Sequence, residues 1–245
     1  MTSFAAPLSL RDLQILDTLD QHHGATSGQL VRLHFADGKA AYRDHRARRT
    51  MRRLEAWLLV SATELPSGSS VGGGRGFLYQ LSGAKKISPR QLRHTLALTE
   101  LYVRLIEADR AGILELSDVI PEPRCHQTVG PVELRPDDSV RIGVGARYRR
   151  CFIELDCGSE SGTEIGRKLS AYTTARNLWA KGEVFPHVVF VVQHDLPQRE
   201  ARRAEALTRI IQAHPAGHLF HVCRFDQAIT ALVGAGPSTA IRRPT

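Results

Sequence analysis

The stretch RCFIELDCG, residues 150–158, places two carboxylates inside an apolar run. Side chains alternate along a β-strand, so Phe152, Glu154 and Asp156 would share one face of a strand at this position. Unpaired carboxylates are costly to bury. The sequence therefore predicts a metal ion, a basic side chain or both beside these two acids.

The residues around this strand predict an α/β sandwich with a partly parallel sheet. The second part of the chain has the pattern of a helix, three strands, a helix, a strand, a helix, a strand and a last short helix. These elements are predicted at 90–110, 114–120, 132–143, 150–156, 162–181, 187–192, 198–214, 218–225 and 226–233. If the second and third strands form a hairpin, Asp137 or Asp138 would come near the acidic face.

The helix predicted at 162–181 carries a lysine beside its apolar stripe. Ile165, Leu169 and Tyr172 follow one another at helical spacing, and Lys168 lies at the margin of this stripe. A lysine on the sheet-facing side of a helix needs a partner, and the acids of the preceding strand are candidates. The alternative is that Lys168 extends to solvent and that the two acids cap a sheet edge.

The first ninety residues predict three short helices followed by a hairpin. Ser9 and Thr26 each precede a helical pattern, with Asp12 and Gln29 at the capping-box spacing. The third helix lies in KAAYRDHRARRTMRRLEAWLLV, residues 39–60, and two β-prone runs then flank a glycine-rich tip. This is the element order of a winged helix-turn-helix, whose third helix enters the major groove of DNA.

The third helix has one apolar stripe and one arginine stripe. The predicted core positions are Ala47, Met51, Leu54 and Leu58. The predicted DNA contacts are Lys39, Arg43, Arg46, Arg49 and Arg53, with Arg75 at the tip of the wing. The alternative is an ordinary solvated helix face, but such a face mixes signs of charge, and Asp44 and Glu55 are the only carboxylates here.

Composition supports a nucleic-acid partner. The chain of 245 residues has a formal net charge of +8, and its first ninety residues carry 13 Lys and Arg against 7 Asp and Glu, a net of +6. The sequence contains no run of eighteen apolar residues and no secretory signal, and its four cysteines show no CxxC pairing. We therefore expect a cytoplasmic protein with reduced thiols that does not enter a membrane.

From about residue 10 to residue 192, the sequence resembles the replication-relaxation family of plasmids and integrative elements. The resemblance rests on the predicted winged helix and on LRHTLALTELYVRL, RPD, FIELDCGSE, RKLSAY and HVVFVV. It implies a role in plasmid replication, relaxation or mobilisation, with double-stranded DNA as partner and replication or mobilisation proteins as further partners. Winged helices commonly dimerise, so a homodimer on a palindromic site is one expectation.

The second half also resembles the core of PD-(D/E)XK nucleases, the restriction-endonuclease-like fold. By that resemblance Asp137, Glu154 and Asp156 would hold Mg²⁺ if the protein is active, and Lys168 would orient the attacking water. The lysine that such nucleases carry two residues after the glutamate is replaced by Asp156 in this chain, which leaves cleavage open. Glu100 is a weaker candidate for an additional acid.

These patterns predict an α+β or α/β protein with a winged helix-turn-helix at 1–88, a nuclease-like α/β domain at 89–234 and a disordered tail at 235–245. The predicted function is that of a DNA-binding protein of a plasmid or mobile element. One alternative is a Mg²⁺-dependent endonuclease, a nickase directed by the winged helix. The second alternative is a winged-helix transcriptional regulator.

Overall fold

The computed structural model describes residues 8–65 and 76–234. The chain forms two compact units, Met1–Val103 and Arg104–Thr245, which divide within helix α4, Pro89–Arg110. The predicted domain boundary between residues 88 and 89 lies at the start of this helix. Two predictions, the wing contact of Arg75 and the disordered tail, concern residues outside the described ranges.

Besides the first part of α4, the first unit contains three helices and a small antiparallel sheet. Its elements are α1 Leu10–His22, β1 Ala25–Thr26, α2 Ser27–His34, α3 Ala40–Ala56, β2 Val60–Glu64 and β3 Phe77–Leu81. Capping boxes at Ser9 and Thr26 begin α1 and α2, as their sequences predict, because each side chain accepts from the backbone three residues on. The strands are ordered β1-β3-β2.

The apolar stripe of α3 enters the core at Ala47, Met51 and Leu54, which are buried with residues of α1, α2 and the sheet. The prediction that Leu58 belongs to this stripe is wrong. The helix ends at Ala56, and Leu58 follows in a turn with a φ of 58° and a side chain that is 79% exposed. The chain reverses there to enter β2, so helical spacing no longer applies.

The second unit is built on a five-stranded mixed sheet with the strand order β10-β9-β8-β7-β4. Its elements are β4 Glu115–Pro121, β5 Gln127–Val129, β6 Val132–Leu134, β7 Asp138–Val144, β8 Arg147–Asp156, α5 Gly162–Leu178, β9 His187–Val192, α6 Pro197–Ala213, β10 Phe220–Arg224 and α7 Ala228–Gly234. Strands β8, β9 and β10 are parallel, whereas β7 is antiparallel to both β8 and β4. The partly parallel sheet is therefore confirmed.

The single strand predicted at 132–143 is in fact two strands. Residues Val132–Leu134 pair with β5 in a separate hairpin, and β7 begins only at Asp138. Pro136 lies between the two and has no N–H to donate to a ladder, which explains the break.

One face of the large sheet packs against α5 and α6. Phe152 and Phe190 from the sheet form an apolar core with Leu169 and Tyr172 of α5 and Leu207 of α6. Because side chains alternate, the residues that share the face of Phe152 on β8 also point toward these two helices. This packing positions the two acids of β8.

In the described residues, no helix is both long enough and apolar enough to span a membrane.

Candidate functional site

Glu154 lies on β8 and is 2% exposed. The ammonium group of Lys168 is 2.6 Å from its Oε2, and the hydroxyl of Tyr172 donates to its Oε1 at 2.5 Å. Lys168 and Tyr172 are four residues apart on α5 and therefore reach the same place on the sheet. The prediction that Lys168 pairs with an acid of the preceding strand is confirmed.

Neighbouring charges act on both Glu154 and Lys168. Burial raises the pKa of Glu154 to about 7, and the charge of Asp137 adds to this shift, while Lys168 and Tyr172 oppose it. Burial works against the charge on Lys168, but Glu154 and Glu160 outweigh burial and raise the pKa of the ammonium group. Lys168 also contacts Glu160 Oε1 at 2.7 Å, so it stays protonated between two carboxylates.

Asp137 lies immediately before β7 and beside the acidic strand. The backbone N–H of Leu155 donates to Asp137 Oδ2 at 2.6 Å, and the N–H of Asp137 donates to the carbonyl of Ile153 at 3.0 Å. The antiparallel pairing of β7 with β8 brings these groups together, as the hairpin hypothesis predicts. Asp138, the next residue, is opposite Ile153 in the ladder.

Asp156 has a different cation. Arg203 of α6 donates through Nε to both carboxylate oxygens at 3.1 Å and through Nη2 to Oδ2 at 2.6 Å. The N–H of Gly158 donates to Oδ1 at 2.5 Å. The carboxylate of Asp156, whose side chain is 1% exposed, is thus neutralised and hydrogen-bonded from within the unit.

Sequence reasoning missed Arg203, although a signal for it exists. Arg203, Leu207 and Ile211 follow one another at intervals of four residues, and the last two are buried. An arginine on the core-facing stripe of a helix needs an acid inside the unit. Only the packing of α6 on the sheet shows that this acid is Asp156.

Of the four residues predicted to act in catalysis, Lys168 contacts Glu154, and the charge of Asp137 acts on Glu154. Asp156 points into a separate ion pair with Arg203. The donor set suits a hard cation such as Mg²⁺, which commonly takes one or two protein carboxylates and keeps several waters. Both oxygens of Glu154 already accept hydrogen bonds, however, so a cation would have to displace Lys168 or Tyr172. Glu100, the weaker candidate, forms an ion pair with Arg32 at 2.7 Å.

The predicted DNA-contacting residues of α3 divide into two groups. Lys39 and Arg49 are exposed. Arg46 instead donates to the Oδ2 of Asp37 at 2.9 Å, and Arg43 donates to the carbonyl of Gly38 at 3.3 Å. Arg43 and Arg46 therefore hold the loop between α2 and α3.

Arg53 also has an internal role. Its Nη2 donates to Asp12 Oδ1 at 2.5 Å, and the Asp12 side chain is 2% exposed. Asp12 closes the capping box of α1 with Ser9, so Arg53 ties the end of α3 to the start of α1.

Two further exposed arginines, Arg48 and Arg52, were not among the predicted contacts. Within residues 8–65 and 76–234, the side chains of Arg48, Arg49 and Arg52 make no hydrogen bond or ion pair. A helical wheel centred on Ala47 and Met51 would have placed Arg49 and Arg52 on the outer side of α3. We call Arg48, Arg49 and Arg52 the outer arginines.

Residues 16–188 match the model of the family described as replication-relaxation. Comparisons with curated proteins and with solved structures find no match.

Proposed function

We propose that this chain, which belongs to the replication-relaxation family, binds double-stranded DNA in plasmid replication or relaxation through the outer face of α3. The observation that carries the proposal is the outer arginines. They present guanidinium groups to solvent with no carboxylate partner in the described parts of the chain. Neutralising DNA phosphates releases counterions, which makes such a face a favourable contact for a polyanion.

The arrangement of the first unit supports a winged helix-turn-helix. Three helices precede an antiparallel β2–β3 pair, and α2 packs against α3, whose N-terminal turn bears the exposed Tyr42. In this class of domain the N-terminal residues of the third helix reach base edges. We therefore expect Tyr42 and His45 to face the bases and the outer arginines to face the phosphates.

Replacing Arg49 and Arg52 with Gln should weaken binding to duplex DNA about tenfold in 100 mM salt. Two phosphate contacts are lost, so the slope of log affinity against log salt should become shallower by about 1.8. Fluorescence anisotropy across a salt series measures both quantities.

The matched control is Arg147→Gln with Arg176→Gln, which removes the same charge from two exposed positions of the second unit. Equal losses in both double variants would mean that net charge alone drives binding. An unchanged slope in the α3 variant would show that α3 does not contact DNA.

A second candidate function, that of a Mg²⁺-dependent nuclease, is favoured by the contact of Lys168 with Glu154 and by the place of Asp137, whose carboxylate accepts from the N–H of Leu155. The order of helix, three antiparallel strands, helix and strand in the second part of the chain also supports a PD-(D/E)XK core. Asp137 and Glu154 would hold the metal, which would activate water and stabilise charge on the phosphate. Lys168 would orient the water. The hydrogen bonds already made by Glu154 favour a binding role over cleavage.

Incubation of supercoiled plasmid with and without Mg²⁺ tests the nuclease function. A nuclease should nick the plasmid only with metal, and Glu154→Gln should abolish nicking while keeping DNA affinity. Because Glu154 must lose its proton to hold a cation, the nicking rate at limiting Mg²⁺ should rise about tenfold from pH 6 to pH 8. Plasmid that stays intact with the wild-type protein across this range would contradict the nuclease function and leave DNA binding standing.

A further inference from the structure

Two arginines stand directly opposite each other on the large sheet. Arg141 of β7 is in register with Arg150 of β8, so their side chains rise from neighbouring positions on one face. This is the face of Phe152 and Glu154, because all three residues of β8 are separated by even numbers. Arg141 is exposed and Arg150 is half-buried.

The guanidinium of Arg150 is held by neutral groups. Its Nε donates to the hydroxyl of Ser139 at 2.9 Å, and its Cζ lies 5.3 Å from the centre of the Phe152 ring. This leaves the two Nη groups without a hydrogen bond in the part of the chain that the structure describes. The side chain is therefore fixed in place while its strongest pair of donors stays available.

The carboxylates nearby offset only part of the charge of this pair. Asp118 is opposite Arg141 on β4, and Glu183 also attracts Arg150, but in the described ranges neither forms an ion pair with an arginine of this pair. Glu115 accepts a hydrogen bond from Tyr148 at 2.6 Å instead.

The two like charges disfavour each other. Burial lowers the pKa of Arg150, and the charge of Arg141 lowers it further. Like charges directly opposite on a sheet destabilise it. A bound anion would remove this repulsion. Anion binding would therefore explain why two arginines lie opposite each other on this sheet.

We propose that Arg141 and Arg150 form a phosphate-binding site for the DNA backbone, separate from α3. The inference rests on the proposed DNA binding. Arginine suits the role because its planar donors engage phosphate oxygens in pairs. Arg150 is four residues from Glu154 on one strand, about 13 Å, which corresponds to about four base-pair steps along the axis of a DNA helix. Backbone held at this pair would thus lie alongside Glu154.

The test compares full-length Arg141→Gln/Arg150→Gln protein with the wild type in DNA binding across a salt series. The variant loses the one phosphate contact that the pair would make, so the salt slope should fall by about 0.9 and the fall in affinity between 50 and 200 mM salt should shrink about 3.5-fold. The variant also loses the Arg150 hydrogen bond to Ser139 and the contact with Phe152, so its melting temperature is measured to show that it folds. The Arg147→Gln/Arg176→Gln protein, with Arg147 on the opposite face of β8, should keep the wild-type slope.

A second measurement tests the site without DNA: the change in melting temperature when inorganic pyrophosphate is added. If the wild type binds DNA and the Arg141→Gln/Arg150→Gln variant keeps the wild-type slope of log affinity against log salt, the proposal is wrong. If the wild type fails to bind DNA but pyrophosphate raises its melting temperature and the variant loses this shift, the site takes a free phosphate compound and only the DNA function fails. If neither ligand distinguishes the variant from the wild type, no anion site exists at this pair.

Discussion

Replacing Arg203 with Ala should lower the free energy of unfolding by about 3–5 kcal/mol, as expected when one partner of a buried ion pair is removed. The variant leaves Asp156 almost fully buried, with the N–H of Gly158 as its remaining hydrogen-bond donor in the described ranges. It also removes the bond from Arg203 to the carbonyl of Glu160, at 2.7 Å, which holds the loop between β8 and α5. Urea unfolding followed by circular dichroism measures the loss.

The matched control for this experiment is Arg199→Ala, one turn earlier on the same helix. Arg199 is exposed and makes no side-chain ion pair in the part of the chain that the structure describes, so its removal should change stability by no more than about 0.5 kcal/mol. Equal stability of the Arg203 variant and the wild type would mean that another cation satisfies Asp156. If the Arg203 variant reaches that stability only with Mg²⁺ present, Asp156 binds the metal, as the sequence predicts.

Replacing Arg53 with Ala should lower the free energy of unfolding by about 1–3 kcal/mol, because Asp12 would lose a partner at a buried position. The effect should depend on pH. Burial raises the pKa of Asp12, but the hydrogen bonds from Ser9 and Arg53 outweigh it and leave the pKa below its usual 3.8. The ion pair therefore stabilises the fold above pH 3.8, and the difference between wild type and variant should disappear as pH falls through the lowered pKa.

Arg52→Ala provides the comparison for Arg53, since it removes the same side chain from the adjacent, outward position. We expect Arg52→Ala to keep the wild-type stability and to lose DNA affinity. Arg53→Ala should instead lose stability and affect DNA affinity less. If Arg53→Ala instead unfolds like the wild type but binds DNA poorly, the sequence-based assignment of Arg53 to the DNA-contacting stripe is right and its pairing with Asp12 is incidental.

The sequence by itself determined which side chains share a face. Alternation along RCFIELD placed Glu154 and Asp156 together on the buried side of a strand, and helical spacing placed Lys168 within reach of that strand. The same periodicity identified Ala47 and Met51 as the core side of α3. These features could be predicted because they depend only on the repeat of one strand or one helix.

Only the tertiary structure decided which basic side chain pairs with which acid. Asp156 pairs with Arg203, which is 47 residues away on a helix whose packing brings it over the sheet. Asp12 takes Arg53 from the predicted DNA-contacting stripe, and Asp37 takes Arg46, which leaves a different set of arginines exposed. A buried carboxylate pairs with whichever cation the packing brings within hydrogen-bond distance. The periodicity of a single helix or strand does not determine that distance.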